Sequence, residues 1–102
     1  MLERPWAKLM AEYNAWMNEK IYQACAPLSD QERKQDRGAF FKSIHGTLNH
    51  LLWADRAFLI RLLAWDLPIG KPSDVLYEDF VALTHERKRY DEIILDYANS
   101  FP

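Results

Sequence analysis

The sequence predicts an all-α fold, and three observations predict it. Apolar residues recur at three- and four-residue spacing over three long stretches. No stretch alternates with the period of a strand. Pro27, Gly38, Pro68, Gly70 and Pro72 fall between the stretches. The chain has 102 residues, enough for one small domain, 1–102, with one core. Half of it is hydrophobic (49%) and it is rich in aromatic residues, which is globular rather than disordered composition.

The first helix begins at Pro5, a residue suited to the first helical position. Trp6, Leu9, Met10, Tyr13, Trp16, Met17 and Ile21 follow as one apolar stripe, expected in the core or at an interface. Asn14 and Asn18 share a face of the same helix. Pro27 disfavours helix in the residue before it, so the helix ends near residues 24–26. Ser29-Asp30-Gln31-Glu32 is a capping box, which starts a short helical turn. That turn fades in the charged run up to Arg37, with Gly38 as its stop.

The second long helix runs from Phe41 or Ser43 to about Ala64. At about 100° per residue, Ile44, Leu48, Leu51, Leu52, Phe58, Leu59 and Leu62 fall on one side, with Asp55 near its middle. His45, Asn49 and Arg56 form a polar stripe. Gly46, His50, Ala54 and Ala57 line up beside Trp53, leaving room around His50. A helix apolar over most of its circumference is covered by more than one neighbour. A linker with Pro68, Gly70 and Pro72 follows. The third long helix starts near residues 74–78 and carries Leu76, Phe80, Leu83, Tyr90, Ile94 and Tyr97 on one stripe. Arg87 sits in that stripe where an apolar residue belongs.

Composition narrows the function classes. A net charge of −2, with basic and acidic residues interspersed, gives no field for nucleic acid or an anionic membrane. Glu86 and Asp91 flank the densest basic spot, Arg87-Lys88-Arg89, which reads as a solvated helix face. No run approaches the roughly 20 apolar residues of a membrane span, and Glu3, Arg4 and Pro5 break any signal-peptide core. Cys25 is the sole cysteine, which precludes an internal disulfide and fits a reducing, cytoplasmic setting. No phosphate loop, Ser–His–Asp set or Cys–His dyad is visible.

The candidate chemistry lies in titratable groups among apolar neighbours. His50 and Asp55 each need a partner or a ligand there, since unpaired buried polar groups cost several kcal/mol. His45 and His50 are five residues apart and diverge by about 140°, so they do not chelate one ion together. His50 reads either as a packing histidine or as one ligand of a site whose others come from elsewhere. His45 reads as a surface histidine, and His85 as solvent-facing among charged residues. Asp55 and Arg87 each interrupt an apolar stripe, and antiparallel packing of their helices would pair them as a structural ion pair. The alternative is that Asp55 bonds a nearby Tyr or Trp and Arg87 snorkels outward.

Tyr13-Asn14-Ala15-Trp16-Met17-Asn18, the run from Gly38 to Arg56 with its leucine-x-histidine pattern and following acidic residue, and Leu76-Tyr77-Glu78-Asp79-Phe80 resemble the first three helices of the DinB-like (damage-inducible) family. The resemblance spans essentially the whole chain. It implies a helical bundle of four long helices and a divalent metal, often zinc or nickel, held by three histidines. His50 matches the histidine of the second helix, and the other two form an H-x-x-x-H pair on a later helix. The family role it implies is a metal-dependent hydrolase or a thiol-dependent transferase, with many members of unknown substrate. This chain departs from the pattern: His45, His50 and His85 are its only histidines, and none forms that pair. The expectation is therefore a DinB-like up-and-down bundle of three long helices and a short one, lacking the fourth long helix. Its metal site is incomplete within one chain, and two chains form a homodimer that completes the bundle core. The alternative to catalysis is a helical dimerisation or small-ligand-binding module.

Overall fold

The computed structural model describes residues 4–100. Four helices follow one another: α1 Arg4–Cys25, α2 Asp30–Lys34, α3 Ile44–Leu63 and α4 Phe80–Asn99. Among the described residues there is no strand, only an isolated bridge between Ala39 and Lys42. The fold class is all-α, with the three long helices and one short helix that the apolar spacing implies. No helix among the described residues is long and apolar enough to cross a membrane. The chain divides into two compact units, one drawn from Met1–Pro27 and Thr84–Pro102, the other Leu28–Leu83.

In the first unit α1 packs against α4 through small residues. Ala7, Ala11 and Ala98 are buried together, with Ile94 and Leu95 partly buried against them. Methyl side chains let the two backbones approach closely. One turn further along, the same face of α1 turns polar. Asn14 and Asn18 both donate to Asp91 Oδ1, at 3.4 and 3.0 Å. The aromatic stripe, expected in the core or at an interface, takes no part in this core. Trp6, Leu9, Met10, Tyr13 and Trp16 are all exposed. The reason is rotational: Ala7, Ala11, Asn18 and Tyr22 form the buried face of α1, about 120–140° around the helix from the centre of the stripe.

In the second unit the capping box forms as written in the sequence. Glu32 N–H donates to Ser29 Oγ (3.0 Å), and Ser29 N–H donates to Glu32 Oε1 (2.9 Å). The short α2 is held by Arg33, which is buried, donates to the Leu28 carbonyl and lies 4.0 Å over the Phe80 ring. A tight turn through Gly38 (φ +76°) and Lys42 (φ +70°) leads to Ser43, whose Oγ caps α3 by accepting from Gly46 N–H at 2.9 Å. The core of this unit is Leu48, Leu52, Leu59, Ile60 and Leu83.

Two elements differ from the sequence reading. The buried arc of α3 includes His45, Asn49 and Ile60, while Leu51, Phe58 and Leu62 are exposed. The arc is rotated toward the polar stripe because the backbone of the linker satisfies that stripe. The last helix starts at Phe80 rather than at residues 74–78. Asp79 accepts from Ala82 N–H through Oδ2 (2.9 Å) and caps the helix there, and the residues before it are held in turns by α3.

Candidate functional site

α3 binds the returning linker through four side chains. Asn49 Oδ1 accepts from Tyr77 N–H at 2.9 Å, and Asn49 Nδ2 donates to the Tyr77 carbonyl at 3.2 Å. His50 Nδ1 lies 3.1 Å from the Pro72 carbonyl. Trp53 Nε1–H donates to the Ile69 carbonyl (2.8 Å), and Arg56 donates to the Pro68 carbonyl (2.9 Å). Linker positions fall as helix positions rise, so the linker runs antiparallel to α3. Pro68, Gly70 and Pro72 keep this segment from adding its own helical hydrogen bonds. Its carbonyls are therefore free to accept from α3.

His50 is the centre of this zipper. Its ring stacks on Phe41 (centroids 3.9 Å apart, planes 16° apart) and lies beside Trp53 (5.7 Å, 21°). A carbonyl can only accept, so Nδ1 carries the proton and Nε2 of the neutral ring holds the lone pair. This is the arrangement of metal-binding histidines, whose second nitrogen donates to a carbonyl or carboxylate and fixes the tautomer. The sequence placed His50 on the right helix with small neighbours; the tautomer and the ring clamp come from Pro72 and Phe41, which no spacing rule identifies.

A mononuclear transition-metal site takes three or four protein ligands. Among the described residues, no three His, Cys, Asp or Glu side chains gather as such a group. His50 thus offers one ligand, and the described residues do not make a complete site around it.

His45 is not the surface residue that its polar stripe implied. It is 4% exposed. Its Nε2 lies 3.2 Å from Asn49 Nδ2 and 3.9 Å from Glu78 Oε2. The Asn49 amide nitrogen cannot accept, and its two hydrogens also reach the His45 carbonyl (3.0 Å) and the Tyr77 carbonyl (3.2 Å), so it shares one of them with Nε2. Nε2 is therefore an acceptor and Nδ1 bears the hydrogen. Nδ1 is buried and makes no hydrogen bond. Burial, with Lys34 next in effect, holds the imidazole below its usual pKa, against an opposing pull from Glu78 and Asp30. His85 is exposed, as expected.

In the first unit, Arg87 is buried and donates through Nε (3.2 Å) and a terminal nitrogen (2.9 Å) to Asp91 Oδ1. With Asn14 and Asn18, this carboxylate oxygen faces three donor side chains. Arg87 inside an apolar stripe and Asn14 and Asn18 on one face were the sequence signals for the cluster; Asp91 reads as a solvated flank of a basic run. Burial pushes the Tyr22 phenol well above its ordinary range. Asp55 is half-buried on α3, in the second unit. Cys25 is half-buried at the end of α1 and is not in a disulfide.

No curated protein and no solved structure matches the chain. A family model described as "DinB family" matches residues 3–101, and on that match the chain belongs to the DinB family.

Proposed function

We propose, from the premise that this is a DinB-family chain, that His50 supplies one ligand of a divalent-metal site, for zinc or nickel, whose remaining ligands come from a second polypeptide. The observation that carries this reading is the His50 Nδ1 bond to the Pro72 carbonyl. It presets Nε2 as a lone-pair donor on a ring already immobilised by Phe41. Ordering a histidine for a metal otherwise costs side-chain entropy at the moment of binding. The activity of the assembled site is that of the family, a metal-dependent hydrolase or a thiol-dependent transferase. The protein works in the cytoplasm, where Cys25 stays reduced.

The test is the metal-to-protein ratio of the purified chain after incubation with zinc or nickel. Near-stoichiometric metal in the wild type, retained by His85→Ala and lost in His50→Ala, supports the reading. Absence of both metals from the wild type sinks it.

The exposed stripe of α1 favours a second reading, a non-catalytic helical assembly module on the same frame. A metal-free protein that still self-associates is the result that selects it.

A further inference from the structure

We propose that His45 is a proton-operated latch: protonation of its ring opens the Asn49 clasp on Tyr77 and lifts the end of the linker from α3. His45 is 4% exposed and Asn49 is fully buried, so neither side chain can turn to water. The clasp fixes which way the Asn49 amide faces. Oδ1 accepts from Tyr77 N–H and Nδ2 donates to the Tyr77 carbonyl. The amide therefore turns its nitrogen, not its oxygen, to His45 Nε2, 3.2 Å away. This arrangement holds only while Nε2 carries a lone pair.

A proton on Nε2 sets two donors head to head. Nδ1 is already a buried donor without a hydrogen bond, so the charged ring gains no acceptor there. Two movements relieve the clash, and each disturbs the clasp. The Asn49 amide can turn over, which offers Oδ1 to the new N–H and withdraws it from Tyr77 N–H. Alternatively Glu78 Oε2, 3.9 Å from Nε2, closes on the imidazolium. Glu78 directly follows Tyr77, so its approach drags the Tyr77 backbone with it.

The charged neighbours set the pH at which the latch turns. Burial opposes the imidazolium most, and Lys34 on α2 opposes it next. Glu78 at the linker end and Asp30 on α2 favour it, and Arg33 on α2 opposes it. Lys34 lies 3.0 Å from Asp30 and 3.7 Å from Glu78, which holds both carboxylates beside the ring.

The latch sits at one end of the zipper. The next anchor along the linker is the Pro72 carbonyl on His50. Pro72 lies in a turn closed by Asp74, whose Oδ2 accepts from Lys71 N–H at 2.8 Å. Beyond that turn, Ile69 is tied to Trp53. Opening at Tyr77 thus loosens the segment that orients the His50 ring. Any effect on a metal at His50 rests on the reading above, whereas the linker reports the latch with or without an ion.

NMR-detected hydrogen exchange of the full, metal-free chain tests the proposal between about pH 8 and about pH 5, the range in which histidine titrates. After correction for intrinsic exchange, protection of the Tyr77 amide is expected to fall about 10-fold or more as His45 protonates, the worth of one buried hydrogen bond. His45→Gln keeps an uncharged side chain there and is expected to abolish the fall. His50 also titrates in this range and remains in that variant, so a fall that persists in His45→Gln overturns the proposal. Two exposed changes keep the test sharp where His45→Gln misfolds. Glu78→Gln is expected to move the midpoint to lower pH, and Lys34→Met to higher pH. Tyr77 protection indifferent to His45 protonation, or midpoints that do not move in opposite directions, overturns the proposal.

Discussion

Asn49 grips both sides of the Tyr77 backbone: its amide oxygen accepts from Tyr77 N–H at 2.9 Å, and its amide nitrogen donates to the Tyr77 carbonyl at 3.2 Å. The side chain acts as a strand partner for one residue, and through it a helix fixes where the linker ends and the next helix can begin. Asn49 is fully buried. Asn49→Ala therefore strands two backbone groups, at about 1–3 kcal/mol each. The expected loss is about 3 kcal/mol in urea unfolding. A loss under about 0.5 kcal/mol, within the range of an ordinary surface change, would show that water replaces the amide.

His45 makes stability fall toward acid. Its folded pKa lies below its ordinary value of 6.5, so the unfolded state binds the proton more readily. Stability from this group is complete above the unfolded pKa and is lost as pH falls through 6.5 toward the folded pKa. Protonated Nε2 can no longer accept from Asn49, although Glu78, 3.9 Å away, limits the loss. His45→Gln is expected to flatten the stability profile in this window. The acid limb at lower pH stays, since Asp30 and Glu32 both have lowered pKa values, from the Lys34 and Ser29 hydrogen bonds respectively. An unchanged slope in His45→Gln just below pH 6.5 would assign the effect elsewhere.

Gly46 reverses a common rule. Gly to Ala inside a helix ordinarily stabilises by about 1 kcal/mol. At Gly46 an added Cβ would meet the Phe41 carbonyl oxygen, a backbone atom that accepts from Ser43 N–H at 2.8 Å. Relief requires the turn carrying Phe41 to move, and Phe41 is the ring stacked on His50. Gly46→Ala is expected to destabilise by about 1–3 kcal/mol, the range of overpacking. It should also shift the His50 ring resonances in NMR spectra. A more stable Gly46→Ala protein with unmoved His50 signals would refute this.

The sequence made the helices legible because their signals are local: Pro5, the Ser29–Glu32 box and Ser43 each act within one turn. The rotation of each helix was less legible. The stripe from Trp6 to Trp16 looks like core by hydropathy, yet alanines and amides face α4, because close backbone approach and a shared carboxylate at Asp91 set that packing. His45 was misread for the converse reason. A polar stripe reads as solvent-facing until a linker brings backbone groups to satisfy it, as Tyr77 does for Asn49. The His50 clamp depends on the Pro72 carbonyl, 22 residues away, and no helical period encodes that distance.

Arg87 is 3% exposed and shares its guanidinium with Asp91, while Asp55 is half-buried on α3. We propose that Asp55 pairs with Arg87 as a second carboxylate and that the two units melt as a single domain. A buried guanidinium has five donors to satisfy, which makes two carboxylates chemically reasonable partners. Removing one member of a buried pair typically costs about 3–5 kcal/mol, and Asp55→Ala is expected at the lower end because Asp91 remains. The decisive measurement is a double-mutant cycle of Asp55→Ala and Arg87→Met in urea unfolding, followed by far-UV circular dichroism and tryptophan fluorescence together. Coupling of about 1 kcal/mol or more, with coincident transitions, supports the pair. Additive losses would leave Arg87 to Asp91, and separated transitions would show that the two units unfold independently.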